Sequence, residues 1–302
     1  MTENVKRDVH GVVLLDKPLH HSSNEALQKV KRLFQAKKAG HTGSLDPLAS
    51  GLLVVCLGEA TKVTGFLLDA NKRYLVTAKL GEQTTTGDVE GEIVAQKPVK
   101  DITKERLCAV IEAFTGSIQQ IPPMYSAIKH KGERLYRLAR KGIEVERVPR
   151  AVTIYTLQVT GQTEDTVSLD VTCSKGTYIR TLVEDIGHAL GCGAHTIALH
   201  RVGVGPFQSE ADFLTLTALN SLRDRGMDAL DRVLLPAESV LAGFPDVQLS
   251  TEMTHYVKQG QAVQVPQAPT EGLVRLFGAG AFVGVGKILS DGRVAPKRLV
   301  RG

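Results

Sequence analysis

The chain has 302 residues, 42% apolar and 23% charged, and its mean hydropathy is −0.04; such a chain can bury a sizeable core and fits one large domain with a small one. No apolar run approaches the roughly 18 residues of a membrane helix, and Met1–His10 is polar and charged with no apolar signal region behind it, so a soluble, cytoplasmic protein without a membrane partner is expected. The formal charge is +5, a first sign of an acidic partner once its location is known.

In chain order, Ser22 and Glu25 have the spacing of a capping box. Ala26, Leu27, Val30, Leu33 and Phe34 follow at helical spacing, with Lys37 and Lys38 expected in the last turn and Gly40 just beyond. Next comes the loop Gly40-His41-Thr42-Gly43-Ser44-Leu45-Asp46-Pro47-Leu48-Ala49-Ser50-Gly51, and then the unbroken apolar run Leu52–Leu57, which reads as a strand covered on both faces. The loop fixes one carboxylate, Asp46, at the edge of a core. Taken alone, Asp46-Pro47 is an ordinary turn pair. Tyr74, Val76 and Ala78 alternate with Leu75, Thr77 and Lys79 as a strand.

Residues 129–150 hold eight Lys or Arg and three Glu, so the whole net charge sits there and the rest of the chain is balanced at 29 of each sign. A local positive excess is the footprint of a phosphate-backbone binder, although a solvated helix face has the same composition. Further on, Val167, Leu169, Val171 and Cys173 alternate with polar residues as a half-buried antiparallel strand. Gly176 then turns the chain into a helix carrying Ile179, Leu182, Val183, Ile186 and Leu190, closed by Gly191. Residues 215–240 look helical, Gly243-Phe244-Pro245 reads as a break, and 246–302 is a set of short strand patterns cut by glycines. The pattern predicts an α+β protein with a mostly antiparallel sheet. Cys56, Cys108, Cys173 and Cys192 show no C-x-x-C spacing and are expected to be buried free thiols. The nine histidines show no H-x-x-x-H spacing, and no metal site is expected.

Five ordered segments resemble one family. They are the Asp46 loop, Gly11-Val12-Val13-Leu14-Leu15-Asp16-Lys17-Pro18, Lys72-Arg73-Tyr74, Pro122-Pro123-Met124-Tyr125-Ser126-Ala127-Ile128-Lys129, and Gly176-Thr177-Tyr178-Ile179-Arg180-Thr181-Leu182. Together they are similar, over about residues 10–210, to the pseudouridine synthases of the TruB family, which isomerise uridine 55 in the T loop of tRNA. The resemblance implies the pseudouridine-synthase fold for residues 1–244, with 129–150 as a basic RNA-binding segment, and a small β-rich PUA-like RNA-binding domain at 245–302. It also implies a monomer whose partner is tRNA rather than DNA.

The same resemblance assigns roles. Asp46 becomes the nucleophile or electrostatic stabiliser at C1′ of the uridine, and Arg180 the cation that keeps it ionised. Tyr74 is then the residue stacked on the extruded base and a candidate for the C5 proton, and His41 fills the space the base vacates. Lys17 supports the active-site strand or contacts RNA, Tyr178 is a weaker aromatic candidate, and Leu199 is a pocket wall. Lys129, Arg134, Arg137, Arg140 and Lys141 are the expected RNA contacts. Moving uracil from N1 to C5 changes neither composition nor oxidation state, so no cofactor is expected. Two segments depart from the family pattern: Thr85 stands where an acidic residue is expected, and 199–207 is less basic than usual, which leaves Asp88 and Arg201 without an assigned role. The rival reading is an RNA-binding or tRNA-folding protein in which catalysis is secondary.

Overall fold

The computed structural model describes residues 6–301. Residues 1–5, half of the stretch expected to carry no signal region, and residue 302 lie outside the described residues. Among the described residues no helix is long and apolar enough to cross a membrane. The chain divides into two compact units, Met1–Asp46, Gly51–Asp69 and Val204–Gly302 in one, and Pro47–Ser50 with Ala70–Gly203 in the other.

In the first unit the strand Gly11–Lys17 runs antiparallel to Ala49–Leu57, with Lys17 opposite Gly51. The short strand Ala39–His41 lies antiparallel on the other edge of the latter, with His41 opposite Val55. Leu214–Thr215 adds a parallel pairing to Leu15 and Asp16. The strand Ala49–Leu57 is buried almost throughout, as its unbroken apolar run predicts. The helix Ser23–Leu33 covers the sheet because Ala26, Leu27 and Val30 share one face; with Phe34 they pack on Val13, Leu15, Leu53, Val55 and Leu57.

That helix starts where the sequence predicts, with Ser22 and Glu25 forming a complete capping box. It ends earlier than expected. Phe34 caps it, Gln35 takes a left-handed conformation at φ 53°, and Ala36 N–H returns to the Lys31 carbonyl at 3.0 Å, so Lys37 and Lys38 leave the helix and Gly40 enters the Ala39–His41 strand. A reversal of this kind closes the helix without glycine.

Residues 215–240 are the helices Leu216–Asp224 and Met227–Asp231 followed by a 3-10 turn, Ala237–Leu241. Beyond them, Asp246–Leu249 pairs parallel to Leu273–Gly278, which pairs antiparallel to Ala281–Ile288 and that to Val294–Leu299. Val247, Leu249, Val274, Leu276, Val283 and Val294 fill its core. The helix Thr251–Lys258 departs from the short strand patterns expected here, although its start is signalled: the Ser250 hydroxyl accepts from the Met253 N–H.

In the second unit the strands follow the order Ala194–Val204, Lys72–Leu80, Thr166–Cys173, Arg150–Gln162 and Gly116–Gln120. The last four are joined antiparallel. The fold is thus the expected mixed α and β class with mainly antiparallel sheets. Val167, Leu169, Val171 and Cys173 are buried and alternate with half-buried residues, as their spacing predicts. Arg73 reaches diagonally across the strand pair to Asp170, with Nη2 at 2.6 Å. Helix Ile179–Ala189 follows, capped by Leu190. All four cysteines are free, but Cys108 is exposed rather than buried. The helix Lys104–Ala113 turns Leu107 and Ile111 inward, one turn apart, and that leaves Cys108 on its outer side.

Candidate active site

The Asp46 loop is held from the helix before it. Ser23, the first residue of that helix and itself buried, accepts a hydrogen bond from Leu45 N–H at 2.7 Å and donates its own hydroxyl to the Leu45 carbonyl at 3.0 Å. Leu45 and Leu48 are buried on either side of a half-buried Asp46. The carboxylate therefore stands on a backbone with anchored neighbours. Gly43 and Gly51 bound the loop with φ of 81° and 94°, values that side chains avoid.

Lys17 has no exposed surface. Its ammonium donates to the carbonyls of Pro18 and His21 at 2.9 and 2.6 Å, closing the turn that leads to Ser22 and Ser23. So large a desolvation is tolerable only because hydrogen bonds replace the lost water. His41 is half-buried at the end of its short strand, and Thr42 N–H bonds the Val54 carbonyl at 3.1 Å before the loop departs.

In the second unit three of the resembling or departing segments meet at one guanidinium. Arg180 Nη1 donates to the Thr86 carbonyl at 2.7 Å and Nη2 to the Tyr125 carbonyl at 2.8 Å. Asp88 lies 3.2 Å from Nη1, and both side chains are deeply buried, with 5% and 4% exposed. Asp88, which has no assigned role in the sequence motif, is thereby partnered by a buried arginine. Its other oxygen accepts from the Thr86 hydroxyl at 2.6 Å and from Glu90 N–H at 3.0 Å. Thr85 fits its place as a neutral residue, since its hydroxyl accepts from Glu92 N–H at 3.2 Å.

Tyr178, immediately before the helix, is clamped much as Leu45 is. The buried Gln120 accepts from Tyr178 N–H at 3.0 Å and donates to its carbonyl at 3.2 Å. Tyr74 is buried opposite Val171, Leu199 is buried in Ala194–Val204, and Arg201 is buried two residues further on. Glu184, one turn after Arg180, is shifted by burial up to about 7, with Arg180 opposing the shift and Asp185 and Asp88 adding to it. Local sequence patterns did not indicate Ser23, Gln120 or Glu184.

Residues 129–150 fold as a small hairpin, Lys129–His130 with Glu133–Arg134, and a helix, Leu135–Arg140, seated by buried Leu135 and Leu138. Arg134, Arg137 and Arg140 are exposed, and the Arg140 guanidinium lies over the Tyr136 ring at 5.7 Å from its centroid. Lys141 is also exposed but pairs with Glu133 at 2.7 Å. Lys129 is exposed at the hairpin's start. Elsewhere, Lys62, Lys258, Lys297 and Arg298 line a cavity of about 480 Å³.

Against known proteins, the chain is 55% identical to the tRNA pseudouridine synthase B of Nitrosococcus oceani, over 97% of this chain and 96% of that relative. The chain belongs to the TruB family of pseudouridine synthases. A TruB relative from Coxiella burnetii, also named tRNA pseudouridine synthase B, is 54% identical over 98% of this chain and 96% of its own length. Models of the TruB family match in three successive parts: the pseudouridylate synthase N-terminal domain over residues 31–179, a tRNA pseudouridylate synthase B C-terminal domain over 180–242, and a pseudouridine synthase II C-terminal region over 245–300. Among solved structures, a Cbf5-Nop10-Gar1 complex is 27% identical with a TM-score of 0.75, covering 97% of this chain and 84% of the other. An H/ACA RNP bound to a substrate RNA containing 2'-deoxyuridine gives 25% and 0.75, with 97% and 85% covered.

Proposed function

We propose that this chain isomerises uridine 55 in the T loop of tRNA to pseudouridine, acting as a cytoplasmic monomer. The observation that carries the reading is the convergence of Thr86, Asp88 and Tyr125 on the buried guanidinium of Arg180. A cation so deeply desolvated and so fully hydrogen-bonded is costly to place, and sites of chemistry are where such costs are met. The clamped Asp46 loop and the names of the 50–55% identical relatives support the same reading.

In this reading Asp46 attacks C1′, and the N1–C1′ bond breaks with its electron pair staying on uracil. The base turns, C5 bonds to C1′ as the Asp46 ester is released, the C5 proton passes to a base, for which Tyr74 is the candidate, and N1 takes up a proton to complete pseudouridine. By the family resemblance, Arg180 is the cation of the reaction. His41 occupies the stacking position of the extruded uridine, Leu199 walls the base pocket and Tyr178 backs it. Lys17 contributes through the turn that it holds. Lys129, Arg134, Arg137, Arg140 and Lys141 grip the RNA backbone, and residues 245–302 add a further RNA contact with the cleft of Lys62, Lys258, Lys297 and Arg298 beside them. No step exchanges electrons with a second reagent, so none calls for a cofactor.

Two measurements test the reading. Pseudouridine mapped in total RNA from cells with and without the protein should change at tRNA position 55. Asp46→Asn, nearly isosteric but uncharged, should abolish isomerisation in single-turnover assays while leaving filter binding of tRNA intact. Unchanged position 55, or a fully active Asp46→Asn, overturns it.

A further inference from the structure

We propose that Glu184 is a positioning residue for Arg180, acting through the backbone of Gly87. The inference rests on the functional reading above, because it concerns the chemical step assigned to that site.

The turn Thr84–Asp88 carries two of Arg180's partners, the Thr86 carbonyl and the Asp88 carboxylate, and Gly87 is the residue between them. Gly87 has φ +70°, and a Cβ built on it would lie 2.7 Å from Cδ and 2.8 Å from both carboxyl oxygens of Glu184. The Glu184 carboxyl therefore occupies the space in which any side chain at position 87 would stand. Arg180 and Glu184 are four residues apart on the helix Ile179–Ala189, so they project from one face. That face presents a guanidinium to the residues flanking Gly87 and a carboxyl to Gly87 itself.

The opposite side of the turn is fixed independently. Thr196 N–H donates to the Gly87 carbonyl at 3.0 Å, and Val89 N–H donates to the Thr196 carbonyl at 3.0 Å. Within the turn, the Thr84 hydroxyl bonds the Asp88 carbonyl at 2.7 Å and Gly91 N–H reaches the same carbonyl at 3.2 Å. With the strand on one side and Glu184 on the other, the Thr86 carbonyl and the Asp88 carboxylate have little freedom to follow or release the guanidinium. Such close placement matters because errors of about 1 Å in a catalytic arrangement can cost a hundredfold in rate. The charged groups facing Glu184 are Arg180 and Asp185 from its own helix, Asp88 from the turn and Arg147 from the basic segment. Burial keeps a large share of Glu184 protonated near neutrality, which lets it rest against Asp88's turn without adding a full third negative charge.

The test compares Glu184→Ala, Glu184→Gln, Gly87→Ala and the Gly87→Ala/Glu184→Ala double variant of the full chain. Single-turnover pseudouridine formation at saturating enzyme is measured alongside tRNA affinity and thermal unfolding. Glu184→Ala is expected to slow the chemical step about tenfold or more with affinity within about twofold, while Glu184→Gln, which keeps the shape, stays within about threefold of wild type. Gly87→Ala should also slow the step. The double variant should be no slower than Gly87→Ala alone, since removing the carboxyl makes room for the new methyl, so the two losses do not multiply. If Glu184→Ala does not fold, Glu184→Asp, which withdraws the carboxyl by one methylene, carries the same expectation. A folded Glu184→Ala or Glu184→Asp with the wild-type rate, a defect confined to affinity, or losses that multiply in the double variant would each overturn the inference. A wild-type protein that forms no pseudouridine would instead bring down the functional reading itself.

Discussion

Ser23 holds Leu45 by both polar groups of its backbone, taking the N–H at 2.7 Å and returning its hydroxyl to the carbonyl at 3.0 Å. The next residue is Asp46. The first residue of a helix thus fixes the peptide that carries the proposed nucleophile, while the adjacent Ser22 caps the same helix with Glu25. Two neighbouring serines serve two different ends: one secures the helix, the other ties the loop to it.

Ser23→Ala tests the value of that tie. Both Leu45 groups would lose a buried partner, at a cost of about 1–3 kcal/mol for an unsatisfied polar group. Urea unfolding should show a destabilisation of that order, and the single-turnover rate should fall because Asp46 gains freedom. A variant as stable and as fast as the wild type would make the clamp idle.

The contrast with the neighbouring capping box shows what local sequence conveys. Ser22 and Glu25 are three residues apart and signal themselves. Ser23 meets Leu45 across 22 positions, and Gln120 meets Tyr178 across 58. No periodicity encodes such pairs. The alternation in 167–173 was legible because each residue reports only whether it faces the core. Asp46, Tyr74 and Arg180 stand in recognisable motifs, whereas the partner of Asp88 does not show in its motif, since a carboxylate in a turn looks the same whether it faces water or a buried arginine. Helix ends failed for a related reason: Gln35 adopts a left-handed backbone that sequence rules reserve for Gly or Asn.

The exposed basic face of 129–150 leads to a salt-dependence prediction. Neutralising Arg134, Arg137, Arg140 and Lys141 should weaken tRNA binding and flatten its dependence on salt. On a log-log plot the slope should fall by up to about 0.7 for each phosphate of a single-strand-like RNA that is no longer neutralised. Arg134, Arg137 and Arg140 should contribute more than Lys141, which already pairs with Glu133. Turnover at saturating tRNA should change far less than affinity. An unchanged slope would assign these charges to a solvated face.

Glu184 gives a stability prediction with a definite sign. Its carboxyl is raised to about 7 in the folded chain by burial, whereas an exposed Glu titrates near 4.3. The folded state therefore holds the proton more tightly, and the wild type loses stability as pH rises from about 4.3 to about 7, with the full cost present above that. Discounted for the partial exposure of the side chain, the cost is about 1–2 kcal/mol. Glu184→Gln has no proton to lose. Its thermal midpoint should match the wild type at pH 4 and exceed it by a few degrees at pH 8; equal midpoints at both pH values would show that the carboxyl is not strained by burial.

Arg180→Lys separates a charge from a shape. The guanidinium serves the Thr86 carbonyl, the Tyr125 carbonyl and the Asp88 carboxylate through two terminal nitrogens. An ammonium brings the same charge to one point and cannot span acceptors held on two different segments in a fixed plane. At least one of these buried acceptors would be left unpaired, and the site would relax around it. The expected result is a drop of more than tenfold in single-turnover rate, equivalent to at least about 1.4 kcal/mol of transition-state stabilisation, with tRNA affinity nearly unchanged. A phosphate-contacting arginine would behave in the opposite way, because lysine replaces it in charge and the defect falls on affinity and its salt dependence. Near-normal chemistry with weakened binding in Arg180→Lys would therefore move this residue from the reaction to the grip on RNA.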